Sequence, residues 1–556
     1  MKTWRRFKAL ARPFFVSEIR LKAFTLLGVL VALSLTVNWV NAQMSYAAGY
    51  YMTALTERRE QDFYRYLLLY ALGFVVATPV AVFYRYSEEQ LARLWRRWLT
   101  QRFITRYLDK FNYYRINAEK RIDNPDQRIA DEVRNFTATS LSFLLILVNS
   151  CISLYLFVRI LWGISAPLTF TLLAYAVFGS GMTVLIGRKL ISLDFQQMKK
   201  EADFRYGLIH VRDNAESIAF YRGEEKEGVF VRQRLRDTLR NLNFIIGWHR
   251  NLGFFTIVYN YASAILPVLI VAPLYLRGEI EFGVVVQAGI AFGYVLGALS
   301  LIVVQFERLS SFAACVARLG ELNEDLESRA VSSDDRLPYL VIEPGSNLKL
   351  ERLTVYTANR SRLLLHDFSF SLEEGQSLLV TGPNGSGKST LLKIIAGILD
   401  SGEGRVQCPA VPEAIFLPQR PYMLAGSLRT QLRYSVGDER KLSDQELIKV
   451  LEDVKLSDLV ERVGGLDTEI DWTYVVSLDE QQKIGFARML LARPRLALLD
   501  EATSAIDAEG ETYLYEQLRR LTKTYVTVSP RQNLIGFHTH LLEFLNAGEW
   551  RLKQIS

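Results

Sequence analysis

Six apolar stretches, at 21–42, 66–84, 140–161, 167–186, 252–274 and 284–304, constrain this chain more than any other feature. Each approaches the roughly 20 residues that a helix needs to cross the hydrocarbon core of a bilayer. Several are almost free of charge, which argues against buried helices of a soluble protein. Composition changes along the chain with them. Half of the residues are hydrophobic, but that average joins a membrane-like region before about Phe306 to an ordinary globular one after about Pro344.

The basic residues then set an orientation. Lys2, Arg5, Arg6, Lys8, Arg12 and Arg20 precede the first span, and Arg85, Arg93, Arg96, Arg97, Arg102 and Arg106 follow the second. The links 162–166 and 277–283 are short and nearly neutral. Lys and Arg collect on the cytoplasmic side of spanning helices, so both termini are expected in the cytoplasm. The same distribution accounts for the net charge of +7 without a nucleic-acid partner. Cys151, Cys315 and Cys408 are too few and too scattered for a disulfide framework or a zinc site. The first apolar run lacks a small-residue cleavage site and is expected to stay in the membrane. Segments 91–107 and 198–221 mix apolar residues at helical spacing with charge, which predicts spanning helices prolonged beyond the bilayer. The expected division is a six-helix, all-α membrane domain at 1–325, a linker at 326–346 rich in Ser, Asp, Arg and Pro, and an α/β nucleotide-binding domain at 347–556. Short β-rich runs alternating with helical patterns predict a parallel layer in the last.

Chemistry concentrates in that last domain. Gly382-Pro383-Asn384-Gly385-Ser386-Gly387-Lys388-Ser389 fits the P-loop pattern in full, after an apolar strand and before a helix opening near Thr390. Such glycines let backbone N–H groups close around phosphate, and the helix N-terminus adds favourable partial charge. Gly382 to Thr390 is therefore the expected ATP-binding segment. Within it, Lys388 is to reach the β- and γ-phosphates and Ser389 to hold Mg²⁺. Leu496-Ala497-Leu498-Leu499-Asp500-Glu501 is an apolar strand ending in two acids. There Asp500 would support Mg²⁺ and Glu501 would polarise the attacking water.

The order of these motifs resembles the cassette of ABC transporters. The resemblance implies an exporter-type membrane fold joined to a P-loop cassette, and an ATPase coupled to transport. It makes Gln419, in Phe416-Leu417-Pro418-Gln419-Arg420-Pro421-Tyr422, the Q-loop residue, a catalytic and Mg²⁺-sensing position. Ser504-Ala505-Ile506-Asp507 matches the D-loop, so Asp507 joins the nucleotide-contacting set. The membrane half carries Ile122-Asp123-Asn124-Pro125-Asp126-Gln127-Arg128-Ile129, Asp213-Asn214-Ala215-Glu216-Ser217-Ile218-Ala219-Phe220-Tyr221 and Phe282-Gly283-Val284-Val285-Val286-Gln287-Ala288. Together these look like the SbmA/BacA-like branch and its relatives, the peroxisomal fatty-acyl transporters. Asn124-Pro125 also suits a capped helix start, with Asp126 in its first turn. Glu201, Asp203 and Arg205 are either a solvated helix face or the family's cassette-facing loop motif.

Three positions depart from the family. An ABC site is completed by the signature loop of the partner cassette, usually Leu-Ser-Leu-Gly-Glu-Gln-Gln in this branch. Here it reads Val476-Ser477-Leu478-Asp479-Glu480-Gln481-Gln482, with Asp479 where glycine is usual. Ser477 and Glu480 keep their family places as nucleotide contacts and have capping-box spacing. Pro530, in Thr527-Val528-Ser529-Pro530-Arg531, stands at the switch histidine, and His538 is expected to be a packing or surface residue. Tyr356 is either the adenine-stacking aromatic or an ordinary strand residue.

The spans offer Asn38, Asn41, Asn149, Asn260, Gln287, Tyr259, Tyr261 and Tyr294 at depth, but no central charge to announce an ionic cargo. Each could serve cargo or hold helices together. The resemblance suggests bulky hydrophilic cargo such as peptides or cobalamin-like compounds, or else fatty acyl groups. The expected protein works as a homodimer, or beside a second half-transporter, in the cytoplasmic (inner) membrane. It is driven by ATP and Mg²⁺, or regulated by ATP that it hydrolyses poorly.

Overall fold

The computed structural model describes all residues except 1, 120–121, 301–304, 332–339, 358–360, 400, 411–412, 437–439, 441, 473–474, 523, 546–547 and 556. It divides into two compact units, Met1–Arg106 with Asn124–Ser328, and Tyr107–Asp123 with Arg329–Ser556. In chain order the first eleven helices are α1 (Lys2–Val16), α2 (Arg20–Thr56), α3 (Glu60–Leu108), α4 (Asn112–Glu119), α5 (Pro125–Gln127), α6 (Val133–Ile164), α7 (Ala166–Asp213), α8 (Ala215–Tyr221), α9 (Glu224–Leu276), α10 (Phe282–Leu299) and α11 (Phe306–Val331). A π-helical turn, Arg128–Glu132, joins α5 to α6.

Among the described residues six helical stretches are long and apolar enough to cross a membrane: Arg20–Thr56, Glu60–Leu108, Pro125–Ile164, Ala166–Ile186, Glu224–Leu276 and Phe282–Leu299. They contain the first five expected runs and the sixth as far as Leu299; Ser300 follows the helix, and 301–304 lie outside the described residues. The prolonged segments are helical too. Helix α3 continues unbroken to Leu108, and α7 to Asp213. At Asn214 the side chain donates to the carbonyl of His210 (2.9 Å) and α8 then restarts. Of the stretch read as a linker, residues 332–339 lie outside the described ones. Helix α11 runs on to Val331, and a strand forms at Leu340–Pro344.

One expectation about the membrane unit needs correction. Asn124 precedes Pro125 at a helix start, but it sits in the left-handed region (φ 42°) and its side chain caps nothing. Pro125 sets the first turn by its fixed φ instead. Arg6 of the basic N-terminal arm packs inside the membrane unit. It is buried and donates to Glu324 (2.8 and 3.1 Å) and to the carbonyl of Ala317 (3.0 Å) on α11. Its stem lies over Gly320, where a Cβ would come within 2.6 Å of it. Buried Arg128 donates to the carbonyl of Arg318 (2.7 Å), and Arg318 pairs with buried Glu132 (2.5 and 2.9 Å). Charges removed from water must be paired in this way, because stripping one partner leaves the other uncompensated at a cost of about 3–5 kcal/mol. The Asp123–Arg128 motif thus has a packing role: it delivers Arg128 onto α11.

Helices α2 and α10 cross at Gly49 and Gly283. The N–H of Gly283 donates to Thr53 Oγ1 (3.1 Å), and a Cβ on Gly283 would fall 1.8 Å from the carbonyl oxygen of Gly49. No rotamer relieves a clash between backbone atoms, so Gly283→Ala must push the helices apart. Overpacking of this kind costs about 1–3 kcal/mol. We expect the purified variant to melt about 5 °C lower, given roughly 2–4 °C per kcal/mol for domains of this size. An unchanged melting curve would refute the crossing.

The second unit is a cassette. Its strands are β1 (Leu340–Pro344), β2 (Leu348–Tyr356), β3 (Leu363–Leu372), β4 (Ser377–Thr381), β5 (Gly402–Cys408), β6 (Ala414–Leu417), β7 (Gly426–Ser427), β8 (Glu469–Ile470), β9 (Leu496–Asp500), β10 (Thr524–Val528), β11 (His540–Phe544) and β12 (Trp550–Gln554). Its helices are α12 (Lys388–Ile395), α13 (Leu428–Arg433), α14 (Asp444–Asp453), α15 (Leu459–Arg462), α16 (Leu478–Ala492) and α17 (Ala508–Leu521). The larger sheet has the order β12-β11-β4-β10-β9-β6, parallel except at β12. Alternate residues of its central strands enter two cores. Leu378, Val380, Leu496 and Leu498 face one side, and Leu379, Ala497 and Leu499 the other. Burial on both faces is why these strands read as continuous apolar runs. Residues 107–123 belong to this unit, with Lys393 lying over the ring of Tyr114 at 6.0 Å.

Candidate nucleotide site in the cassette

Strand register brings the polar residues to one edge. Val380 on β4, Val528 on β10 and Asp500 on β9 stand level, and Leu417 on β6 pairs with Leu499. Thus the P-loop leaving β4, Asp500-Glu501 at the end of β9, Pro530 beyond β10 and Gln419 beyond β6 meet at the carboxyl edge of one parallel sheet. Ligands bind at that edge in open α/β folds.

The loop geometry demands its glycines. Gly382, Gly385 and Gly387 have φ of 140°, 74° and 108°. A Cβ on Gly382 would meet the carbonyl oxygen of Phe544 at 2.7 Å, and one on Gly387 would meet Leu364 Cβ at 2.8 Å. Helix α12 begins at Lys388, so Lys388 and Ser389 lie in its first turn with Thr390. Lys388 Nζ donates to the carbonyls of Gly382 (2.9 Å) and Pro383 (2.8 Å). Burial lowers its pKa, against the pull of Glu501 and Asp500. Ser386 Oγ is buried and has no hydrogen-bond partner among the described residues. An orphan hydroxyl and a lysine in the neck of a glycine loop fit a polyphosphate. Pro383 and Asn384 are exposed at the rim, and Arg362, which sequence reasoning passed over, donates to the carbonyl of Gly385 (3.2 Å).

Ser389 Oγ donates to Asp500 Oδ1 at 2.8 Å. Burial raises the Asp500 pKa, with Ser389, Lys393 and Lys388 opposing. A hydroxyl and one carboxylate are the hard oxygen ligands that suit Mg²⁺ carried on phosphates. Glu501 adopts a left-handed φ of 48°, rare for a residue with a Cβ, and its N–H donates to the carbonyl of Val528 (2.9 Å). Its carboxylate accepts from Gln419 Nε2 (3.0 Å).

The remaining expected residues have other engagements. The N–H of Ser477 donates to Glu480 (3.0 Å) at the start of α16, and its hydroxyl donates to Asp479. The second Asp479 oxygen accepts from Lys483 Nζ (3.4 Å). Asp507 caps α17, accepting from the N–H of Gly510 (2.9 Å). Tyr356 is half-buried at the end of β2, its N–H donating to the carbonyl of Ser401 (3.0 Å). His538 is buried, with Nε2 2.9 Å from Thr527 Oγ1, and burial pushes its pKa down to about 4. It is therefore a packing histidine. Gln482, 1 % exposed, was missed as a hub. It donates to the carbonyl of Gln419 (2.8 Å) and to Ser504 Oγ (3.0 Å), and accepts from the N–H of Ala505 (3.0 Å). Arg531, beside Pro530, donates to the carbonyls of Ile506 and Ser504 (3.0 Å each). Only their neighbours in the sequence motifs hinted at these two.

Six spanning helices and a P-loop cassette on one chain define a membrane transporter of half size, powered by a nucleotide. Comparison with known proteins makes the class specific. Residues 10–276 match the family described as ABC transporter transmembrane region 2, and 365–504 match ABC transporter. An uncharacterized ABC transporter ATP-binding protein of Synechocystis is 42% identical over 99% of this chain and 85% of its own length. ABC transporter D family member 2, chloroplastic, of Arabidopsis thaliana is 37% identical over 99% and 88%. The human lysosomal cobalamin transporter ABCD4 is 29% identical over 99% and 96%. A solved structure of a bacterial Atm1-family ABC exporter superposes with a TM-score of 0.75, at 17% identity over 96% of this chain and 94% of that one, and shows the same fold. The chain belongs to the ABC transporter family: it is a half-transporter, and its cassette is a transport-coupled ATPase.

Proposed function

We propose that two copies of this chain form a homodimer that moves bulky hydrophilic solutes, peptides or cobalamin-like compounds, across the cytoplasmic membrane, as a member of the SbmA/BacA-like branch. The observation that carries the cargo class is end-to-end similarity to a cobalamin transporter. In this reading ATP lies on the P-loop, Mg²⁺ would neutralise charge on its phosphates, and transfer of the γ-phosphoryl group to water with release of ADP drives transport. Lys388 and the N-terminal turn of α12 hold the phosphates, and Ser389 and Asp500 hold the ion. Glu501 orients water, while Gln419 steadies Glu501. Ser477 and Glu480 serve the site of the other copy.

A second reading, ATP binding with slow hydrolysis, is favoured by the hydrogen bond that ties the Ser477 hydroxyl to Asp479. The test is ATP turnover by the full chain in lipid nanodiscs, with and without peptides, corrinoids and acyl-CoA. Stimulation by peptides or corrinoids of at least about twofold is expected. Stimulation by acyl-CoA alone would overturn the cargo assignment.

A further inference from the structure

The membrane unit contains a cavity of about 890 Å³ with two unlike walls. Helix α6 lines one wall with Ser142, Asn149, Ser150 and Ser153, which helical spacing puts on a single face. The orientation of Asn149 follows from its partners. Its Oδ1 accepts from Asn38 Nδ2 (2.7 Å) and Ser34 Oγ (3.1 Å) on α2, so its NH₂ group is left for the cavity. Ser153 is only 5% exposed, lines the cavity, and its hydroxyl has no partner among the described residues. A hydroxyl on the cavity wall without a protein partner is free to donate to a solute.

Gly289, Gly293 and Gly297 of α10 form the opposite wall, one turn apart. None has a positive φ, and a Cβ on any of them would meet nothing within 4 Å. Neither backbone conformation nor packing within the chain explains three glycines in one helix, where each costs about 1 kcal/mol relative to alanine. Their effect is a flat wall onto which a broad face can settle. Tyr294, stacked on Phe157 at 4.2 Å, flanks it. The charged member of the lining is Glu88; Lys and Arg are absent from it. Arg308 donates to the lining residue Gln305 (Oε1, 3.0 Å), lies over the ring of Phe143, and through its charge opposes the penalty that burial imposes on the Glu88 carboxylate.

We infer that this cavity selects an electrically neutral, amide- or hydroxyl-bearing solute with a flat face, and rejects polyanions. The inference rests on the transporter reading above and names the chemistry of its cargo. Donors from Asn149 and Ser153 meet carbonyl oxygens of the solute, the glycine wall takes its flat side, and Glu88 disfavours a solute of high net negative charge.

The test uses the full-length protein in nanodiscs and three probes. These are cyanocobalamin (neutral overall, its single phosphodiester balanced by the cobalt–corrin charge, and fringed with amides), a capped uncharged peptide of Asn and Tyr, and palmitoyl-CoA. At least one neutral probe is expected to bind. Gly293→Leu should weaken it at least tenfold and Ser153→Ala about threefold, with no competition from palmitoyl-CoA. Failure of both neutral probes, displacement by palmitoyl-CoA, or unchanged affinity in Gly293→Leu overturns the inference. So does loss of the dimer in Gly293→Leu, read by light scattering, which would make the glycine wall a subunit seam. If turnover is stimulated by a solute whose binding ignores both substitutions, the transporter reading stands and this cavity assignment alone fails.

Discussion

Lys388→Ala will lose most of its ATP affinity. Its ammonium is the one side-chain cation in the P-loop itself, held by the carbonyls of Gly382 and Pro383 at 2.9 and 2.8 Å. Hydrogen bonds to charged groups contribute about 1.5–3 kcal/mol each, so losing the contacts to phosphate should weaken binding roughly 10- to 100-fold. Without nucleotide the variant should melt close to the natural protein, because the substitution also removes the cost of burying an ammonium. Titration with a fluorescent ATP analogue separates the two quantities. Affinity equal to that of the natural protein would remove Lys388 from the site.

What was legible in the sequence was whatever repeats locally. The six spans announce themselves through uninterrupted apolar runs, and β4 and β9 through apolar residues that must fill two cores at once. The P-loop is equally local, since its glycines answer to backbone geometry within eight residues. Partners distant in the chain were not legible. Arg6 reads as one more basic residue of a cytoplasmic arm, yet it is buried against α11 some 318 positions away. Gly283 looks like any helix glycine until Gly49 is placed against it. Asn124 has the residue type of a cap but sits in the left-handed region with its side chain capping nothing. In the cassette, Gln482 and Arg531 act through the carbonyls of other loops, and carbonyls carry no signal in a sequence. Asp507 was grouped with nucleotide contacts by resemblance, and the structure gives its carboxylate a nearer task as a helix cap.

The double change Asp479→Gly with Pro530→His will raise ATP turnover at least roughly tenfold. The signature loop acts as an anion receptor when its serine and the N-terminus of its helix are free to face the γ-phosphate. Here both are committed. Asp479 takes the Ser477 hydroxyl on one oxygen and Lys483 on the other, so the helix start already holds an internal carboxylate. Burial works against the charge of Asp479, but Ser477 and Lys483 outweigh it and keep its pKa below the ordinary carboxylate value. The group is therefore an anion at neutral pH. Two unit charges at about 4 Å repel by roughly 4 kcal/mol at an effective dielectric near 20. Lys483 offsets part of that, and even half would slow closure or turnover about 30-fold at 1.4 kcal/mol per decade. Glycine at 479 frees Ser477 and leaves Lys483 as an unpaired cation beside the phosphate, so both effects act in the same direction. Pro530 is exposed at the sheet edge, in a loop that Arg531 anchors, and its ring has no N–H to offer. Histidine there restores a donor to the phosphate as charge develops, where such donors contribute most. Because Asp479 faces the site of the partner cassette and a donor at 530 contributes mainly as charge develops in the transition state, ATP affinity measured without dimer closure should hardly change. If the natural protein already turns over at ordinary transporter rates and the double change adds nothing, Asp479 and Pro530 do not limit this site.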